Sequence, residues 1–227
     1  MLALRGLFGG LCQLLVIGAL LLIPAGTWQW PRAIQFLVVY GLVNSVSIVA
    51  LARLAPASLE TRLSSPSSKS QPMADRIVTP LFFVSLLAWF AFIPVDVFRL
   101  GLLPPPAVGV SVFGVVLSVA GYAAVWSTLF QNAFAAPIVK DQAECGQVLI
   151  DSGLYGWIRH PFYLGLLLFF VGLALWLESC AGVFGLLVPF VFMGARIRVE
   201  EKTLEETLPG YADYTRRVRY RLVPLLW

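Results

Sequence analysis

Charged residues are scarce in this sequence. Only 12% of its 227 residues are charged, against roughly 25% in an ordinary soluble domain, and 59% are hydrophobic, with a mean hydropathy of +0.84. This composition excludes an ordinary soluble enzyme and indicates an integral membrane protein. The net charge of +4 does not indicate a nucleic-acid partner, because the basic residues cluster between apolar runs, as membrane topology requires.

Cysteine and histidine are also rare. The three cysteines, Cys12, Cys145 and Cys180, are odd in number and lie in unrelated segments, without a C-x-x-C pair or metal-ligand spacing. The sequence therefore predicts neither a disulfide framework nor a metal site. His160 is the only histidine, so any proton transfer that needs an imidazole must use this residue.

Long apolar runs dominate the chain instead. The first run is longer than the apolar part of a signal peptide and lacks a convincing cleavage site, so we interpret it as a membrane span. The last two runs are separated only by the residues 178–179, which predicts a tight C-terminal helical hairpin. The expected fold is an all-α integral membrane protein with about six transmembrane helices, at residues 2–23, 34–54, 77–95, 107–129, 162–177 and 180–195.

The basic residues support six spans. Six crossings put both termini on one side of the membrane, and that side receives fourteen of the sixteen Lys and Arg residues. The other side receives only Arg32 and Arg99. By the positive-inside rule, this asymmetry predicts that both termini and the long loops are cytoplasmic.

The segment 55–76 is rich in serine, proline and charge. Such a stretch cannot bury enough apolar surface to offset the entropy of ordering, so we predict a mobile polar cytoplasmic loop. A linker is favoured over a regulatory serine site. This loop belongs to an N-terminal region, residues 1–106, that otherwise consists of membrane helices, and the chain shows no internal repeat of the kind found in inverted-repeat transporters.

A charged motif stands at the start of the fifth apolar run. Arg159 and His160 precede Pro161, which lacks a backbone N–H group and predicts the first turn of a helix. The unpaired N–H groups and the positive end of the helix dipole favour an anion there. Tyr163 and Gly165 follow, and the glycine permits close approach of a helix or a ligand. Each residue taken singly also has a simpler interpretation. Arg159 then anchors the cytoplasmic end of the helix, His160 is an interfacial residue, and Tyr163 belongs to the aromatic belt at the membrane interface.

A second polar cluster follows the sixth run. Charges at a spacing of four and a Pro-Gly stop at 209–210 predict a helix that leaves the membrane. Its acidic pair at 205–206 fits a solvated helix face. Glu200 and Glu201 lie within a turn of the membrane and point about 100° apart, so at least one of them should face the helix bundle.

Together these motifs resemble the isoprenylcysteine carboxyl methyltransferase and phospholipid methyltransferase group of membrane enzymes. The resemblance rests on the Arg-His-Pro-x-Tyr-x-Gly motif, the membrane hairpin, Glu200-Glu201-x-x-Leu204 and Tyr211-x-x-Tyr214. It covers roughly residues 132–227, and it implies that the region 107–227 is the catalytic, methyltransferase-like part of the chain. The last residues are similar to bacterial members, so the expected location is a bacterial inner membrane.

The resemblance implies an enzyme that uses S-adenosylmethionine, with the site on the cytoplasmic face. The expected catalytic residues are Arg159, His160 and Glu201. A cofactor carboxylate suits the arginine and the helix N terminus, and its ammonium and ribose hydroxyls suit a glutamate. The family often has Gly-His where this chain has Gly146-Gln147, and glutamine can form hydrogen bonds but carries no charge. The expected cofactor-binding residues are Gln147, Tyr155, Arg159, His160, Pro161, Tyr163, Gly165, Glu200 and Glu201.

The implied methyl acceptor is amphiphilic, because the site would open both to the cytoplasm and to lipid. A prenylated cysteine carboxylate, a phospholipid headgroup and a small apolar thiol all satisfy this condition, so the expected partners are membrane lipids and a lipid or prenylated substrate. A carboxylate needs no base, whereas a lipid amine needs His160 or a glutamate to take its proton. Two alternatives stay open: an NADPH-dependent membrane reductase of the sterol-reductase type, which carries a similar Arg-His-Pro motif, and a non-enzymatic membrane protein with the same fold.

Overall fold

The computed structural model describes residues 1–63, 71–135, 137–139, 146–224 and 227. Within these residues every regular element is helical, which confirms the all-α prediction. A π-helical turn, Asp96–Leu100, extends the fourth helix, and a short 3-10 turn, Gly153–Gly156, precedes the sixth. The helices are α1 Leu2–Ala25, α2 Pro31–Leu54, α3 Pro56–Leu63, α4 Met73–Val95, α5 Val108–Gln131, α6 Pro161–Trp176, α7 Cys180–Gly185, α8 Leu187–Thr207 and α9 Tyr211–Arg217.

Among the described residues, five helical segments are long and apolar enough to cross a membrane: α1, α2, α4 with its π-turn, α5, and α7 joined to α8. The sixth apolar helix, α6, has only 16 residues, or about 24 Å at 1.5 Å per residue. It is therefore shorter than the roughly 30 Å hydrocarbon core of a bilayer. The all-α membrane architecture is confirmed, whereas the number of six spans stays a prediction.

Proline and glycine set the helix ends, as the sequence indicates. Pro31 and Pro161 occupy the first turns of α2 and α6, where a missing N–H group costs nothing. Gly26 ends α1 in the left-handed conformation with φ 68°, which favours glycine. The last residue before the Pro-Gly stop, Leu208, caps α8.

The helices α5 and α6 form the most extensive helix pair of the fold. Their backbones meet at glycines: a Cβ atom on Gly165 would lie 2.8 Å from the carbonyl oxygen of Gly121, and Gly172 approaches Gly114 in the same way. Small residues allow this approach, and van der Waals contacts between backbones then stabilise the pair. The start of α6 is thereby held against α5.

A polar cluster closes the opposite end of α6. The Ser179 hydroxyl donates to the carboxylate of Asp96 at 2.6 Å and accepts the N–H of Gly182. At the same end, Arg32 lies 3.4 Å from Glu178. The predicted grouping of these loops at one end, away from the Arg-His motif, is confirmed.

Two expectations need correction. The segment 55–76 is not loop throughout: α3 forms because Leu59 buries its side chain against Ile48 and Leu51, and α4 already begins at Met73. The serine-rich part, residues 64–70, lies outside the described residues. The predicted hairpin does have a short turn, but its arms pack mainly on different neighbours, α6 on α5 and α8 on α4.

Candidate active site

A cavity of about 290 Å³ lies at the end of the bundle that carries the Arg-His motif. It is lined by α4, the start of α6, the middle of α8, and residues from the stretches 132–135, 137–139 and 147–155. Most of the wall is apolar, and the ionisable side chains in it belong to Arg62, Arg159, His160, Arg196 and Glu200, with the tyrosines 155, 163, 211 and 214. A concave apolar site with a few convergent polar groups is the usual form of a ligand site.

Glu201 holds Arg159 and His160 of the motif together. Its Oε1 atom lies 3.1 Å from Nη1 of Arg159 and 3.2 Å from Nε2 of His160. All three side chains are buried. Because both partners share one carboxylate oxygen, their positions at the first turn of α6 are coupled.

The C-terminal segment completes this network. Its backbone accepts hydrogen bonds from the motif, Arg159 N–H to Tyr220 O and His160 N–H to Arg221 O, both at 2.9 Å. The Arg221 side chain donates to Oε2 of Glu201 at 2.7 Å and lies against the ring of Trp227. Both oxygens of Glu201 are therefore occupied, and the chain terminus positions the motif.

Glu200 faces the cavity, whereas Glu201 is absent from its wall. The Tyr163 hydroxyl donates to Oε2 of Glu200 at 2.7 Å. Arg159 and Arg196 also line the cavity, and their buried Nε atoms have no hydrogen-bond partner among the described residues. Such unsatisfied buried donors are costly, so the cavity is chemically suited to a ligand with anionic and cationic groups.

A buried acid, Asp75, supports the α8 side of the cavity. Its Oδ1 atom lies 3.9 Å from Nε of Arg196 and accepts the Thr79 hydroxyl. Its Oδ2 atom accepts the Gln71 amide and the backbone N–H of Val139 at 3.0 Å. Asp75 thus ties the first turn of α4 to α8 and to the segment that covers the cavity.

Tyrosines form the wall opposite α6. Burial, and to a lesser degree the charge of Glu200, raise the pKa of Tyr155 to about 12, against a weaker lowering by the hydrogen bond from Asn132. The Tyr214 hydroxyl donates to the Tyr155 carbonyl at 2.8 Å. Burial also raises the pKa values of Tyr211 and Tyr214. These phenols remain neutral at neutral pH and offer aromatic surface and hydroxyl groups to a ligand.

The structure brings most of the predicted site residues together. Gln147, Tyr155, Arg159, His160, Tyr163 and Glu200 line the cavity. Pro161 and Gly165 do not, and the alternative of helix packing accounts for Gly165, which contacts α5. Glu200 and Glu201 both face the bundle, but only Glu200 lines the cavity.

Sequence reasoning missed Arg196, Asp75, Arg62 and Arg221 as parts of the site. Asp75 carried a usable signal, because an acid at the start of an apolar span is expensive without a partner. Arg62 and Arg221 gave no such signal, since positive-inside topology accounts for both.

A second, larger cavity of about 610 Å³ adjoins the first. Its wall is mostly aliphatic and aromatic, drawn from all six helices α1 to α6. The two cavities share the side chains of Gln13, Arg62, Phe83, Leu86, Phe162, Leu166 and Phe170. The fold therefore places a polar chamber and an apolar chamber side by side.

Comparisons with known proteins agree with this architecture. Residues 110–209 match the phospholipid methyltransferase family. Over 83 residues, 36% of this chain, the sequence is 40% identical to the protein-S-isoprenylcysteine O-methyltransferase of Saccharomyces cerevisiae, and over 70 residues, 30% of the chain, it is 40% identical to the cobalt-zinc-cadmium resistance protein CzcN of Cupriavidus metallidurans. The matches cover 35% and 32% of those two proteins, so the chain spans about a third of the length of the curated relatives it matches.

The fold is similar to a solved structure, that of the eukaryotic intramembrane Ras methyltransferase, an isoprenylcysteine carboxyl methyltransferase. The TM-score is 0.55, and the match covers 92% of this chain and 74% of the other. With 19% sequence identity, this likeness concerns the fold alone.

Proposed function

Since the comparisons support an isoprenylcysteine- and phospholipid-methyltransferase-like family of membrane proteins for this chain, we propose that it is an S-adenosylmethionine-dependent methyltransferase. Its acceptor is an amphiphile that reaches the site from the membrane. The 290 Å³ cavity is the cofactor site, and the end of the bundle that holds it faces the cytoplasm. One observation carries the proposal: Arg159 and Arg196, whose buried Nε atoms lack a hydrogen-bond partner among the described residues, line the same cavity as Glu200.

The side chains present fit the charges of this cofactor. Arg159 is fixed by Glu201 and by the Arg219 carbonyl, and its guanidinium beside a helix N terminus suits a carboxylate. Glu200 suits an ammonium group or ribose hydroxyls. Tyr155 supplies an aromatic face close to both.

When bound, S-adenosylmethionine supplies a methyl group that is already activated by its sulfonium. The task left to the protein is alignment of an acceptor and exclusion of water. The apolar wall, with Phe82, Phe162 and Leu208, keeps the cavity dry. Glu201 keeps Arg159 and His160 in place, so we assign it a positioning role instead of a direct contact with the cofactor.

His160 is poorly placed to act as a general base. Its Nε2 atom is engaged with Glu201, which lies beside the cations of Arg159 and Arg221. An acceptor that must lose a proton would depend on this histidine or on Glu200. A carboxylate acceptor needs neither, so the arrangement favours an acceptor that is anionic at neutral pH.

Calorimetric titration of the purified protein with S-adenosylhomocysteine, and with NADPH in a parallel run, tests the cofactor class. We expect saturable binding of the first compound only, and loss of that binding in Arg159→Gln with the fold retained by circular dichroism. Glu178→Gln, at the other end of the bundle, serves as the control and should bind normally. Saturable binding of NADPH alone would refute the proposal in favour of a reductase.

A further inference from the structure

The apolar chamber extends to exposed side chains of α1 and α4. Val16 of α1 and Phe83 and Leu87 of α4 line it and are also exposed on the outer surface of the bundle. These helices pack closely towards their other end, where Leu21 and Ile93 are completely buried in one cluster. This arrangement points to a lateral opening of the chamber between α1 and α4, through which an apolar chain enters from the lipid.

Arg62 stands at the junction of the two chambers. Among the described residues, it is the only charged side chain that lines the apolar chamber, and it also lines the polar one. It is held in place by α3, whose Leu59 is buried one turn earlier, and its guanidinium lies over the ring of Phe162 at 5.2 Å.

The Arg62 charge lacks an acidic partner in the described part of the chain. Its Nη1 atom donates to the carbonyl oxygen of Ala135 at 3.3 Å, and no described carboxylate lies within 4.0 Å of the guanidinium. Burial lowers its pKa to about 10, which the neighbouring Tyr163 opposes and Arg196 reinforces. The Arg62 side chain is partly buried. A cation in such surroundings without a counter-ion is unfavourable, and a carboxylate satisfies the planar guanidinium in a bidentate manner.

We propose that Arg62 determines acceptor specificity by binding the anionic headgroup of a single-chain amphiphile whose apolar chain lies in the 610 Å³ chamber. This inference rests on the proposed function and names the acceptor class for that reaction. It assigns the role to α3, outside the residues 110–209 that match the methyltransferase family. Arg62 places the headgroup at the boundary of the polar chamber, next to His160 and Tyr163.

Equilibrium binding of two matched amphiphiles to the full chain in lipid nanodiscs tests this assignment without turnover. The probes are N-acetyl-S-farnesylcysteine and its carboxamide, which differ only in the headgroup charge; oleate and oleamide repeat the comparison on another chain. We expect the wild-type protein to bind the carboxylate at least about tenfold more tightly than the amide. In Arg62→Gln the two members of a pair should bind equally, whereas Arg62→Lys should retain part of the preference.

Arg53→Gln is the matched control, because Arg53 ends α2 on the same side of the bundle but is exposed and lines neither chamber. It should keep the wild-type preference. A preference for the carboxylate that survives in Arg62→Gln overturns the inference, and so does a wild-type protein that binds neither probe. Affinity for S-adenosylhomocysteine is measured in parallel: its loss in Arg62→Gln with the headgroup preference intact assigns Arg62 to the cofactor chamber instead. If the wild-type protein shows the headgroup preference but no cofactor binding, the methyltransferase proposal fails and the Arg62 assignment stands.

Discussion

Glu200 and Glu201 are adjacent in sequence, but their side chains lie in different environments. The carboxylate of Glu200 accepts the Tyr163 hydroxyl at the cavity wall, whereas that of Glu201 lies behind the wall between Arg159 and Arg221. The turn of about 100° between successive helical residues produces this division. One glutamate is free to meet a ligand, and the other holds the residues that do so.

This difference predicts that conservative substitutions of the two glutamates affect different properties, stability in one case and ligand binding in the other. Glu201→Gln removes the negative charge from a buried cluster of cations, which typically costs roughly 3–5 kcal/mol, so thermal unfolding in detergent should shift markedly to lower temperature. Glu200→Gln should change the unfolding temperature little but weaken S-adenosylhomocysteine binding by about tenfold, because a charge-assisted hydrogen bond is lost.

The exposed Glu205 is the control for both substitutions, since it lies one turn further along α8. Glu205→Gln should match the wild type in stability and in ligand affinity. A protein in which Glu201→Gln is fully stable while Glu200→Gln unfolds early would reverse the roles of the two glutamates.

A second prediction concerns the buried pair that joins α4 to α8. Asp75→Asn leaves Arg196 without its nearby carboxylate, and loss of one partner of a buried pair typically destabilises a protein by roughly 3–5 kcal/mol. We expect a lowered unfolding temperature and faster proteolysis near Val139, whose N–H group Asp75 binds. Asp213→Asn, at an exposed pair with Arg216, should leave both measurements unchanged.

The sequence predicts the helices well because their signals are local. Apolar run length sets the spans, and Pro161 sets the start of α6 within one residue of the expectation. The helix α3 was missed because its stability comes from Leu59 packing against α1 and α2, which a polar composition conceals. Tertiary contacts, not propensity, decide such short helices.

The sequence motifs predicted many of the residues at the cavity but not the different roles that we propose for them. The Arg-His motif and the Glu-Glu pair identify Arg159, His160 and both glutamates in the sequence. Only the three-dimensional packing shows that Glu200 faces the cavity and Glu201 does not. Arg62 lies about a hundred positions before the motif in the chain. Only the fold reveals that it borders both chambers.

A third prediction separates helix packing from ligand binding at Gly165. A Cβ atom there would lie 2.9 Å from the backbone nitrogen of Val125 and 2.8 Å from the oxygen of Gly121, so Gly165→Ala must push α5 and α6 apart. We expect a clear loss of thermal stability, whereas cofactor affinity of the folded fraction should stay close to normal. Gly109→Ala is the matched control on α5, because nothing lies within 4 Å of its added Cβ atom.

The last prediction follows from the raised pKa of Tyr155. Burial and the charge of Glu200 hold this phenol protonated in the folded protein, raising its pKa from 10.0 to about 12. In the unfolded chain it ionises near 10, so between these values the folded state binds more protons and stability falls as pH rises.

Tyr155→Phe removes this contribution. The unfolding temperature of the variant should therefore decline less steeply than that of the wild type between pH 10 and about 12, while both proteins keep the decline caused by their other tyrosines. Thermal unfolding followed by circular dichroism across this range provides the comparison, and phenolate absorbance shows directly when the folded protein ionises. Parallel stability curves for the two proteins would mean that Tyr155 ionises normally in the folded protein. This result would contradict the burial of the Tyr155 phenol beside Glu200.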